Sequence, residues 1–176
     1  GLSIDKGNYQ FDRFAGRIIL PIHSISGQVI GFGGRILKKD DKAAKYLNSP
    51  ESDIYHKSQV LYGLYFAKKD IIKNDKCFLV EGYTDVISMH QEGIENVVSS
   101  SGTALTPEQV RLIKRFTKNI TVLFDGDEAG IKASLRGIDI ILEEGLNVKV
   151  LLLPEGEDPD SFVRSHSNSE FLEFIS

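Results

Sequence analysis

Two aspartates separated by one glycine, Asp125-Gly126-Asp127, follow directly on the apolar run Val122-Leu123-Phe124. Carboxylates this close repel each other, so one stays protonated or a cation neutralises them. Oxygen-only ligands suit Mg2+, which takes one or two carboxylates plus waters and substrate phosphates. The structural reading of the same residues is a helix start, with Asp127 as cap and Glu128 complementing the dipole. Further acids recur at Glu81 and Asp85, four apart, and at Asp158 and Asp160, which flank Pro159. An EF-hand is excluded, because Ala129 and Arg136 stand where that loop needs oxygen ligands and its last glutamate. His23, His56, His90 and His166 are scattered without ligand spacing. A hard, oxygen-loving ion is therefore favoured over zinc. No Walker A, HExxH or GxSxG pattern is present.

The elements that would hold these acids come from periodicity. Residues 77–80, 96–99, 120–124 and 148–153 are short apolar runs that read as strands. Between them, residues 83–91, a segment opening at Thr106-Pro107-Glu108-Gln109, and a segment ending near Glu144 before Gly145 read as helices. A last helix begins near Ser169. Alternation of this kind implies a mainly parallel sheet flanked by helices. Glu81, Asp125, Asp127, Asp158 and Asp160 then all follow the carboxyl ends of strands, where open α/β sheets place ligands.

The front of the chain differs in style. Residues 17–22 and 28–37 read as two strands of a β-hairpin joined by Ser24-Ile25-Ser26-Gly27. The second contains Gly31, Gly33 and Gly34, which imply a bulge or a place where a backbone or ligand comes close. It is not a dinucleotide fingerprint, since Ile36 occupies the sixth position from Gly31. Lys57 and Gln59 precede a helix with Leu61, Leu64, Tyr65 and Ile72 on its apolar positions. The expected organisation is a smaller α+β subdomain over 1–74, a metal-binding α/β domain over 75–165, and the start of a following helical region over 166–176.

Residues 1–74 carry 12 Lys and Arg against 7 Asp and Glu, whereas residues 75–176 carry 9 against 18. A basic segment followed by an acidic one suits a protein that holds polyanions and cations at different places. Hydrophobic content of 41% and charged content of 26% are those of an ordinary globular chain. One cysteine, Cys77, in an apolar run, excludes a disulfide framework and reads as core. No apolar run approaches membrane-spanning length and no secretory signal opens the chain, so cytoplasmic location without membrane contact is expected.

Glu81-Gly82-Tyr83-Thr84-Asp85, Asp125-Gly126-Asp127 and Glu157-Asp158-Pro159-Asp160 together resemble the Toprim domain of primases, topoisomerases and some nucleases. Asp12-Arg13-Phe14, Arg17 with Pro21-Ile22, the stretch from Gly31 to Arg35, Lys45 to Pro50, and His56-Lys57 narrow this. Taken together, the chain resembles the bacterial replicative DNA primases of the DnaG type over essentially its whole length. Thr84 departs from relatives that carry methionine there, at a position that is no ligand.

The resemblance implies part of a catalytic core that joins ribonucleoside triphosphates into RNA primers on a single-stranded DNA template. It assigns Glu81, Asp125 and Asp127 as catalytic and central metal acids, with Asp85, Asp158 and Asp160 as outlying ones. Arg13, Arg17, Arg35, Lys45, Asn48 and Lys57 fall where the family holds nucleotide or template. Mg2+ is the implied cofactor, with Mn2+ able to substitute and no zinc in these residues. The family's zinc-binding module and the first part of its core would precede Gly1, and its helicase-binding region would follow Ser176. Contact with the replicative helicase is therefore expected through a region outside this chain, and these residues alone are expected to be weakly active or inactive. Two rival readings are a Toprim nuclease or topoisomerase piece and a non-catalytic module that binds metal and DNA.

Overall fold

The computed structural model describes residues 2–37, 43–124, 128–154, 156–166 and 168–175, with the backbone alone at 124, 128–135 and 168. By its contacts the chain divides into two compact units, residues 1–56 and 57–176. The sequence expectation placed the division after residue 74. The helix α1 (Leu64–Asn74) belongs by its contacts to the second unit.

The first unit opens with a short antiparallel hairpin, β1 (Ser3–Asp5) and β2 (Gln10–Asp12). A three-stranded antiparallel sheet follows, in the order β3 (Arg17–His23), β4 (Val29–Ile36), β5 (Tyr46–Asn48). The turn between β3 and β4 closes through the Ser24 carbonyl accepting from the Gly27 N–H at 2.9 Å, with Gly27 at a φ of 95°. The glycines of β4 serve packing. A Cβ at Gly34 would come within 2.5 Å of the buried Phe14 ring, and one at Gly31 within 3.0 Å of the Tyr55 ring. What comes close is thus a pair of aromatic side chains, and the register irregularity sits between Ile22 and His23 instead.

The second unit begins with a 3-10 turn, Lys57–Gln59, and α1, then alternates strands and helices. Its sheet is entirely parallel, in the order β7 (Val97–Ser99), β6 (Cys77–Val80), β8 (Asn119–Phe124), β9 (Asn147–Leu152). The connecting helices are α2 (Tyr83–Gln91), α3 (Pro107–Lys114) and α4 (Glu128–Glu143). All four residues of β6 are buried, as a strand in the middle of a covered parallel sheet requires. Phe78, Val80, Val86, Met89, Leu123 and Phe162 share one apolar cluster.

Two further helices follow, α5 (Pro159–Ser165) and α6 (Asn168–Ile175). Pro159, flanked in the sequence by two aspartates, reads from the sequence as part of a stiffened loop after the last strand. In the structure it is the first residue of α5, where its missing N–H is no loss.

Candidate functional site

The chain leaves β6 toward β7 on one side and later returns to place β8 on the other. The carboxyl end of β6 is therefore the point where strand order reverses, and a crevice forms there. Glu81 is the first residue past that end. Its Oε1 atom is buried, and its side of the edge opens on a cavity of about 440 Å3, lined also by Ser100, Thr103, Leu105 and Arg136. Because Leu79 stands opposite Val122 in parallel register, the chain exits β6 and β8 side by side on this edge. β8 ends at Phe124 and α4 begins at Glu128. Asp125 and Asp127, the central acids of the sequence reading, fall between them and lie outside the described residues.

The outlying acids carry structural duties. Asp85 is buried, and its Oδ2 accepts the Gly82 N–H at 2.8 Å, closing the first turn of α2. A Cβ on Gly82 would lie 2.9 Å from that oxygen, so glycine is what lets the carboxylate fold back over the backbone. Asp158 caps α5: its Oδ1 accepts the Ser161 N–H at 2.7 Å, and Ser161 Oγ accepts the Asp158 N–H at 2.9 Å. Asp160 is buried, and its Oδ1 accepts from Ser88 Oγ at 2.5 Å while pairing with Arg164 Nη2 at 2.9 Å.

Ser88 lies three residues after Asp85 on α2, hence on the same side of that helix. The Ser88–Asp160 bond in this way ties the start of α5 to α2, the helix that carries Asp85. No group of three or more His, Cys, Asp or Glu side chains placed to hold a metal occurs among the described residues.

The polar residues of the first unit separate by sheet face. Cross-strand partners and residues two apart share a face. Arg35 is opposite Tyr46 and Gly33 is opposite Asn48, so Arg35 and Asn48 share one. Lys45 is exposed, with Nζ 5.7 Å from the centre of the Tyr46 ring. Arg17 pairs with Ile36 and lies on the other face. Its Nη1 donates to the carbonyls of Ala44 at 2.9 Å and Gly34 at 3.2 Å, so it braces the lead into β5. Arg13 Nη2 donates to the Asn48 carbonyl at 3.4 Å, and Arg13 Nε is buried. Lys57, half-buried, heads the 3-10 turn at the start of the second unit.

Some participants escaped the sequence reading. Ser88 and Arg164 gave no signal, because their link to Asp160 is long-range for the one and depends on α5 for the other. Thr106 and Gln109 were legible only as a capping box. The thiol of Cys77 is fully buried and its pKa is pushed up by burial, in keeping with a core role. Burial, with the Glu51 carboxylate adding to it, pushes the Tyr55 hydroxyl up to about 12.

Comparison with known families agrees with this layout. Residues 1–68 match the model of the DNA primase catalytic core, N-terminal domain, and residues 78–163 match a Toprim-like model. The chain is 48% identical over 175 residues to a DNA primase of Clostridium acetobutylicum, covering 99% of this chain and 29% of that protein. A DNA primase of Aquifex aeolicus is 45% identical over 174 residues, covering 99% and 34% respectively. The chain thus spans about three tenths of the length of these curated relatives.

Among solved structures, the zinc-binding and RNA polymerase domains of Aquifex aeolicus primase match with a TM-score of 0.93 at 42% identity, over 99% of this chain and 43% of that one. A DnaG primase catalytic domain bound to single-stranded DNA matches with a TM-score of 0.89 at 39% identity, over 99% and 57%. No helix among the described residues is long and apolar enough to cross a membrane. With both segments matched in chain order and Glu81 at the sheet's reversal point, the chain belongs to the bacterial DNA primases of the DnaG type and corresponds to the part of their catalytic core that contains the Toprim domain.

Proposed function

We propose that the chain takes part in RNA primer synthesis, joining ribonucleoside triphosphates on a single-stranded DNA template by metal-assisted nucleotidyl transfer. The observation that carries this reading is the likeness over 99% of the chain, with a TM-score of 0.89, to a primase catalytic domain whose structure includes single-stranded DNA. The match of residues 1–68 to a primase-specific domain favours it over a Toprim nuclease or topoisomerase.

The donor set fits a hard divalent cation. Every acid is an oxygen donor, and Glu81 places a buried carboxylate oxygen at the reversal point of the sheet. Glu81, Asp125 and Asp127 would hold Mg2+, or Mn2+ in its place, with Asp85, Asp158 and Asp160 as outlying acids. When bound, such ions supply Lewis-acid stabilisation of the attacking and leaving oxygens of an in-line displacement. Glu81 either completes the ligand set or takes the proton of the attacking 3′-hydroxyl.

Arg35 and Asn48, on one face of the sheet, with Lys45, Arg13 and Lys57, hold triphosphate or template phosphates, the arginines by paired hydrogen bonds. Residues 1–74 in this reading serve nucleotide and template, residues 75–165 serve the metal, and residues 166–176 open a helical region. A cytoplasmic location and a replicative helicase as partner, through sequence outside this chain, complete the proposal.

The test is Asp125→Asn in the full-length protein. Primer synthesis should be lost, while affinity for single-stranded DNA, read by fluorescence anisotropy, stays within about twofold, since the variant removes one charge from the catalytic edge and none from the basic segment. Loss of both together would make Asp125 a structural residue and remove it from the catalytic set.

A further inference from the structure

Glutamine is a residue type found mostly exposed, yet Gln109 has no accessible surface. Its Oε1 accepts the Thr106 N–H at 3.1 Å, which is all that capping α3 asks of it. Its Nε2 does something else. It donates to the carbonyl of Lys57 at 3.0 Å and to that of Val60 at 2.8 Å, some fifty residues earlier in the chain. Thr106 Oγ1 adds a third bond of this kind, to the Ser58 carbonyl at 2.6 Å. The start of α3 therefore grips three carbonyls of the turn that Lys57 heads. A little further on, Tyr62 and Ser99 exchange backbone hydrogen bonds of 2.9 and 3.1 Å, which pins the same segment to the end of β7.

Among the residues proposed to hold nucleotide or template, Arg13, Arg35, Lys45 and Asn48 all belong to the first compact unit. Lys57 is the first residue of the second, the unit that carries Glu81. Its backbone is tied there by Gln109. A lysine side chain is a flexible point charge, so its reach toward a phosphate is set by where its backbone is held.

We infer that Gln109, with Thr106, is a positioning residue for the incoming nucleotide: it fixes Lys57 to the sheet that bears the acids. A triphosphate then meets the Lys57 ammonium and the proposed metal acids at a set spacing. This deepens the primase reading and rests on it.

A double-mutant cycle tests the inference, with binding of a fluorescent ribonucleoside triphosphate in Mg2+ measured by anisotropy for wild type, Gln109→Met, Lys57→Ala and the double variant. Gln109→Met keeps the length of the side chain and removes both donors. Lys57→Ala should weaken binding about tenfold, the size of one charge-assisted contact, and Gln109→Met by about fivefold. The double variant should bind no more weakly than Lys57→Ala alone, because the latch acts through Lys57.

In primer synthesis by the full-length protein, Gln109→Met should raise KM for nucleotide while kcat changes by less than about twofold. Equal losses from Gln109→Met with and without Lys57, or wild-type binding by a folded Gln109→Met, overturn the inference. Wild-type binding by Lys57→Ala overturns it through its premise. A wild-type protein that binds no triphosphate overturns the functional reading itself. Should Gln109→Met not fold, Thr106→Val, which removes the bond to Ser58 together with the cap bond from the Gln109 N–H and leaves both bonds of Gln109 Nε2, is read on the same cycle, with a loss of about threefold expected and additivity again overturning the inference.

Discussion

Asp160 shows how a residue that reads as a metal acid can be held in place by its neighbours. Ser88 and Arg164 both donate to its Oδ1, one from a buried hydroxyl on α2 and one from an exposed guanidinium a turn along α5. The Arg164 pair is open to water and screened, so it adds little. The buried hydroxyl is a different matter, because its loss leaves a buried carboxylate short of a donor. Ser88→Ala should therefore destabilise the second unit by about 1–3 kcal/mol, read as a lower urea midpoint with an unchanged m-value. Arg164→Ala should cost less than about 1 kcal/mol. The reverse ranking would mean that the ion pair, and not the hydroxyl, anchors Asp160.

At the scale of elements, the glycines of β4 are set by what packs on them. Phe14 has 1% of its surface exposed, and its ring lies where a side chain at Gly34 would go. Gly34→Ala should cost about 1–3 kcal/mol, the usual penalty of overpacking. Gly7→Ala should cost less by steric contact, since nothing stands within 4 Å, and be limited to the strain of its positive φ. A thermal melt of both variants separates the two mechanisms, and a loss at Gly34 no larger than that at Gly7 would show that the Phe14 ring gives way at little cost.

The same elements show what was legible beforehand. Strand β6 and helix α2 were readable to the residue, because apolar runs and helical spacing are local signals. Thr106 as the cap of α3 was likewise local. Strands β1, β2 and β5 are three residues each, too short for a periodic pattern to accumulate. Helix α5, seven residues opening on a proline amid acids, looks like loop unless Asp158 is recognised as its cap. The second duty of Gln109 could not be read at all, since its partners lie about fifty positions away. The acids were visible by type and spacing, but the capping roles of Asp85 and Asp158 and the pairing of Asp160 belong to tertiary structure.

On the scale of the whole molecule, the charge bias of residues 1–74 bears on how a template would be held. Phosphate contacts release counterions, and for single strands the logarithm of affinity falls against log salt with a slope of about −0.7 per contact. Arg17 is excluded from the count because its Nη1 faces protein carbonyls and it lies on the sheet face opposite Arg35. Arg13, Arg35, Lys45 and Lys57 remain, so a slope near about −3 is expected for a short single-stranded template.

The Lys45 side chain is exposed, with its ammonium over the neighbouring Tyr46 ring, while its backbone carbonyl, which accepts from the Ile36 N–H at 3.0 Å, is untouched by a side-chain substitution. Lys45→Ala should flatten the slope by about 0.7 without lowering the melting temperature, whereas Arg17→Ala should lower the melting temperature and leave the slope alone. Chelation of divalent ions should stop synthesis and leave template affinity unchanged, since these basic groups need no metal to meet a phosphate. A slope indifferent to Lys45→Ala would remove that lysine from the template contacts. Template affinity that collapses in chelator would place the grip on DNA at the acidic edge, and the division of labour between the basic and acidic segments would have to be abandoned.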